Sequence, residues 1–134
     1  MYIDNLIGTN ETEEILGKTP EGVQWLLRRG KLIGRKLGRA WVIDKKSVLA
    51  YQQGIELPDA EDRRKQLGNI IGTSEVSTML AMTREGVHRL LHNKQLSGRK
   101  LGTRTWAIDK PSVLCYQEKR KRRLQEQLSR LIAK

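Results

Sequence analysis

The apolar residues of this chain change their period several times, and each change marks an element. Val23, Leu26 and Leu27 recur at i, i+3, i+4 and predict a helix. It opens at Thr19-Pro20, a cap followed by proline at the first helical position, and stops at Gly30. Before it, Thr9 is read as the cap of a shorter helix, with Glu11, Glu13 and Glu14 near its positive end and Gly17 as its stop after Leu16. Two helices joined by so short a turn make a helix-turn-helix. Ile3, Leu6 and Ile7 lead into this unit and are expected to seal its core. After Leu32 the period changes again. G-R-K-L-G-R-A-W-V-I-D, Gly34 to Asp44, reads as two short strands about a glycine turn, and Asp44 is placed to cap a third helix through Ser47, Val48, Leu49 and Tyr51. An isolated hairpin is marginal in water, so Trp41 is expected to anchor this one on the helices.

The whole order then recurs. Thr83, Gly86, Val87 and Leu90-Leu91 repeat Thr19, Gly22, Val23 and Leu26-Leu27 at an offset of 64, which becomes 65 after the second hairpin turn, at Trp106 and Tyr116. The second copy starts at Ile70-Ile71, with Thr73 or Ser74 as cap and Val76, Met79 and Leu80 facing inward. A basic hairpin held on a small helical core is the pattern of a winged helix. The expected fold is therefore α+β and mainly helical, with two tandem winged helix-turn-helix domains at 1–53 and 69–118, each carrying a two-stranded wing. Between them, Pro58 and clustered charge mark 54–68 as a linker with a short helix after the proline. Fully extended it reaches roughly 50 Å, beyond the ~34 Å between equivalent faces one DNA turn apart. After Asp109-Lys110-Pro111 no Gly or Pro interrupts the chain, so the last helix is expected to run on into a basic extension, 119–134.

Charge narrows the partner. With 26 Lys and Arg against 15 Asp and Glu the formal charge is +11, which favours a polyanion. The single cysteine, Cys115, excludes an internal disulfide framework. It occupies the slot of Ala50 and is expected to be a small buried thiol. No apolar run approaches a membrane span and the N-terminus lacks a signal-peptide core, so the expected location is the cytoplasm, at the nucleoid. The inventory is not that of an enzyme: there is no nucleophile–base pair or paired carboxylates, and G-K-T-P at Gly17 lacks the rest of a phosphate-binding loop. No cofactor is expected. His88 and His92 have a helical spacing that suits metal, but no third ligand accompanies them, and none is expected to bind.

Thr9, Glu11, Leu16-Gly17, Thr19, Val23, Leu26, Gly30-Lys31-Leu32, Lys36, Gly38-Arg39, Trp41, Ile43 and Tyr51 form an ordered string. It returns as Thr73, Glu75, Leu80, Thr83, Val87, Arg89, Leu90, Leu96, Lys100, Gly102, Trp106, Ile108 and Tyr116. Both strings resemble the excisionase-type DNA-binding module, a small relative of the MerR-like winged helix. The resemblance implies double-stranded DNA as partner, and either transcription regulation or control of recombination direction as role. It implies recognition helices that present Glu21, Gln24, Arg28, Arg84, Glu85, His88, Arg89 and His92 to the major groove, where arginine suits guanine and glutamine suits adenine. The wing residues Arg35, Lys36, Arg39, Arg99, Lys100 and Arg104 would take phosphates or the minor groove.

Lys119, Arg120, Lys121, Arg122 and Arg123 would continue along the backbone, be simply solvated, or lie beside a Leu124, Leu128, Leu131 and Ile132 stripe that pairs with another chain. Trp25 stands where the family often has an arginine such as Arg89, Ala81 replaces the turn glycine, and Thr12 and Glu13 replace small alanines. Two unlike half-sites, or one reader and one clamp, would both fit that divergence. The alternative is a DNA-tethered adaptor that recruits a protein through one repeat or the C-terminal helix. Structured RNA is a third class, for which the chain has few aromatics.

Overall fold

Thr19 and Thr83 do what their positions require. Each hydroxyl accepts the amide three residues on, Gly22 and Gly86, at 3.2 Å. A computed structural model describes residues 2–101 and 105–133, and within it the same order of elements occurs twice. In the first half a 3-10 turn (Tyr2–Asn5) leads to β1 (Leu6–Ile7), α1 (Thr9–Leu16), α2 (Pro20–Arg28), β2 (Gly34–Leu37), β3 (Ala40–Asp44) and α3 (Lys45–Gln53). After α4 (Ala60–Gly68) come β4 (Ile70–Ile71), α5 (Thr73–Leu80), α6 (Arg84–His92), β5 (Gly98–Leu101), β6 (Thr105–Asp109) and α7 (Lys110–Ile132).

Each hairpin gains a third strand, so neither sheet is the expected two-stranded one. The orders are β1-β3-β2 and β4-β6-β5, all antiparallel, with Ile7 opposite Ile43 and Ile71 opposite Ile108. The glycine that opens each G-R-K-L is set by close approach. A Cβ at Gly34 would lie 2.4 Å from Leu27 Cδ2 and 3.3 Å from the Val42 carbonyl, and Gly98 is equally crowded by Leu91 and Ala107.

Alternate residues of a strand face opposite ways, and here both faces are buried. On one face Ile7 and Ile43 pack with Val23, Leu26, Leu27, Leu32 and Val48, as Ile71 and Ile108 pack with Val76, Leu80, Val87, Leu91 and Val113. On the other face Leu6, Ile33 and Val42 meet Ile70, Leu101 and Ala107, with Ile3 and Leu67 closing the layer. The order through the molecule is helices, sheet, sheet, helices.

The segment 54–68, expected as a linker with a short helix after Pro58, carries α4, and that helix packs onto the shared layer. Nine residues of polar helix are marginal alone, but α4 buries Leu67 in the shared layer and sends Arg63 to the start of α3. There Asp44, fully buried, accepts from the Lys46 and Ser47 amides, from Tyr2 Oη at 2.8 Å and from Arg63 at 3.2 Å. Burial, then the Asp44 hydrogen bond, pushes the Tyr2 phenol above its ordinary pKa. Its counterpart Asp109 lacks the close cap bonds of Asp44. Burial raises its pKa against the opposing pull of the Ser112 amide.

Other expectations shift for local reasons. Gly8 and Gly72, not Thr9 and Thr73 or Ser74, are the N-caps, because the chain leaves β1 and β4 one residue early and turns in extended conformation. Thr12 is fully buried, and its hydroxyl donates to the Gly8 carbonyl at 2.9 Å. Cys115 is exposed rather than buried. Val113 sets the inner face of α7, and two residues on the helix has turned about 200° away from it.

Ala81 ends α5 at φ 53°, where Gly17 ends α1 at φ 63°. A Cβ makes that left-handed conformation cost about 1 kcal/mol. Ala81→Gly is therefore expected to raise stability by about that amount, read as a higher denaturation midpoint at unchanged m-value. A lower midpoint would show that the loss of chain stiffness outweighs the relief.

Candidate nucleic-acid interface

Burial of Val23, Leu26 and Leu27 turns the rest of α2 outward. Glu21 and Arg28 are exposed and Gln24 is half-buried. In α6 the same logic exposes Arg84, Glu85, Arg89 and His92 and leaves His88 half-buried. The two histidines stand against the second hairpin: the Trp106 ring lies 6.1 Å from His88, tilted, and 6.2 Å from His92, edge-on. Among the described residues no group of three or more His, Cys, Asp or Glu could hold a metal. Arg84 also bonds Ser74 Oγ at 3.1 Å, tying the start of α6 to the start of α5.

On α2, Trp25 is 53 % exposed and the Arg29 guanidinium lies 4.9 Å from its ring centre. A cation on an exposed tryptophan face is a weak but directional attraction. Arg29 was not among the residues singled out from the sequence. The signal for it was its i, i+4 spacing from Trp25.

The hairpin cations divide by strand parity. Lys36, Lys100 and Arg39 are exposed, and Arg104 lies outside the described residues. Arg35 and Arg99 point the other way, on the face that meets the opposite sheet. Arg35 Nη1 donates to the Gly68 and Ile70 carbonyls, both at 2.8 Å, and Arg99 Nη1 donates to the Asp4 carbonyl. Both guanidiniums thus bond backbone carbonyls of the other half, and each also lines a cleft. Arg120 is engaged too, donating to the Leu80 carbonyl at the C-terminal end of α5 at 3.1 Å, a favourable place for a cation. Lys119, Lys121, Arg122 and Arg123 are exposed, as are Leu124, Leu128, Leu131 and Ile132 beyond them.

Two open clefts run between each hairpin and the opposite half. The larger, about 580 Å³, brings Lys36 and Arg39 of the first hairpin together with Arg84 and His88 of α6, against Glu75. The smaller, about 510 Å³, sets Arg99 and Lys100 against Glu11 and Glu14. The first is cationic and suits a phosphate backbone, whereas the second is close to balanced. No helix is long and apolar enough to cross a membrane among the described residues.

Residues 6–55 match the family model described as a helix-turn-helix domain. That span takes in β1 to α3, the first of the two repeated units. The curated proteins searched give no match.

Proposed function

We propose that the chain is a sequence-specific double-stranded-DNA-binding protein built of two winged helix-turn-helix modules, acting as a transcription regulator or as a factor that directs recombination. The first half is a helix-turn-helix domain. The observation that carries the proposal is that α2 presents Glu21, Gln24 and Arg28, and α6 presents Arg84, Glu85, His88, Arg89 and His92, each beside an exposed basic hairpin. Those helices enter major grooves and read base edges. Lys36, Arg39 and Lys100 hold phosphates and set the register, while Arg35 and Arg99 stiffen the join between the halves. No chemistry on the DNA is assigned, and the working compartment is the one that holds DNA, the cytoplasm.

The test is binding to duplex across a salt series. Affinity is expected to fall steeply with salt. Arg28→Ala and Arg89→Ala, both at exposed positions, are each expected to weaken binding to a selected duplex roughly tenfold. Equal affinity in both variants would show that these helices are not the readers.

A second reading, an adaptor that binds DNA through one half and a protein through the tail, is favoured by the apolar positions that α7 leaves exposed at Leu124, Leu128 and Leu131. It predicts that only one of the two arginine variants loses affinity.

A further inference from the structure

The contacts between the two halves are reciprocal, residue for residue. Arg35 donates to the Gly68 carbonyl, and Arg99, its counterpart 64 positions on, donates to Asp4, the counterpart of Gly68. The turn at Tyr2–Asn5 touches β5 as α4 touches β2. Ile3 and Leu67, Leu6 and Ile70, and Val42 and Ala107 are equivalent pairs, and both members of each lie in the shared layer. An interface in which i meets j and j meets i belongs to a two-fold axis. Head-to-tail stacking would join unlike surfaces instead. The two clefts also share a wall, because the equivalent residues Ala40 and Thr105 line both. They therefore adjoin across the axis, on one side of the molecule.

We infer that the chain is a pseudo-dimer within one polypeptide and that its DNA partner carries two half-sites in inverted orientation with unlike sequences. This rests on the assignment of α2 and α6 as recognition helices. A two-fold protein places its two readers in opposite directions along the duplex, which has a local two-fold of its own, so the matching site is an inverted repeat. The halves differ because the readers differ: Glu21, Gln24 and Arg28 occupy the positions of Glu85, His88 and His92. Because Ala40 and Thr105 of the two hairpins line both clefts, the hairpins are expected to cover the segment between the halves.

The experiment is selection of random duplexes by the full chain, followed by binding to synthetic duplexes in which one half is flipped in place. The expected motif has two unlike halves in opposite orientation at fixed spacing. Flipping one half is expected to weaken binding at least about tenfold. Arg28→Ala is expected to relax preference in one half only, and Arg89→Ala in the other. Halves in the same orientation, a single half, or indifference to flipping would overturn the inference while leaving sequence-specific binding intact. Salt-dependent binding with no enriched motif, or no duplex binding at low salt, would instead remove the recognition helices themselves, and the inference with them.

Discussion

Arg63→Met is expected to destabilise the chain by about 3 kcal/mol or more. Asp44 has no solvent exposure, and Arg63 is the cation beside it: its Nη1 lies 3.2 Å from Asp44 Oδ2 and 3.4 Å from Oδ1. The Arg63 side chain is itself only 10 % exposed. Burial disfavours its charge, but the hydrogen bonds to Asp59 and then Asp44 outweigh this and raise its pKa. Methionine keeps the buried stem and removes the charge, leaving a carboxylate with hydrogen bonds from Tyr2, Lys46 and Ser47 but no counter-charge. Leaving one member of a buried pair alone is the costly case. Removing both is far cheaper, so Arg63→Met with Asp44→Asn is expected to recover part of the loss. Asp59, whose side chain is half exposed, bonds the same guanidinium at 3.0 Å. Asp59→Ala is expected to cost under about 1 kcal/mol. Urea unfolding of the three variants beside wild type decides the matter. A single Arg63→Met variant within error of wild type would mean that water replaces the guanidinium at Asp44.

The importance of Arg63 was invisible in the sequence for a definite reason. It sits in E-D-R-R-K, a run whose composition is that of a solvated linker. Nothing local distinguishes it from Arg64, which stays exposed and bonds the Gly30 carbonyl. By contrast the helices were legible, because Val23, Leu26 and Leu27 fix one face and Thr19-Pro20 and Gly30 fix the ends. The hairpins were legible too, with strand pairs such as Lys36 opposite Trp41 following from the turn. What the period concealed was the second buried face. Leu37 and Val42 share their parity with Arg35 and look outward from the helices. Apolar residues on both parities of a strand mean that both faces are covered, and the cover came from the other copy.

The same alternation governs the candidate interface. A basic strand reads as a run of equivalent cations, yet alternation sends Lys36 to solvent and Arg35 to the Gly68 and Ile70 carbonyls. The identity of a residue gave its charge, and its parity decided where that charge went. Arg120 was likewise hidden in K-R-K-R-R, since only its place on α7 brings it to the end of α5.

If the layer between the sheets is one core, the two halves are expected to unfold together, and Leu6→Ala should destabilise both. Leu6 has no exposure and lies in the shared layer with Ile70 and Leu101. Truncating a buried leucine costs about 2–5 kcal/mol, the higher values where neighbours cannot close the gap. Here the surrounding side chains come from two sheets whose spacing is held by Arg35 and Arg99 as well as by packing, so collapse onto the void is restrained and the upper half of that range is expected. Calorimetry on the full chain should give one transition with calorimetric and van't Hoff enthalpies equal, shifted as a unit by Leu6→Ala. Isoleucine at 70 occupies the equivalent position across the layer, so Ile70→Ala should act in the same way, and the pair should be non-additive because both belong to one packed cluster. Two transitions, with Leu6→Ala moving only one of them, would show that the sheets meet without depending on each other. The reciprocal contacts would then be a docking of two domains and not a common core.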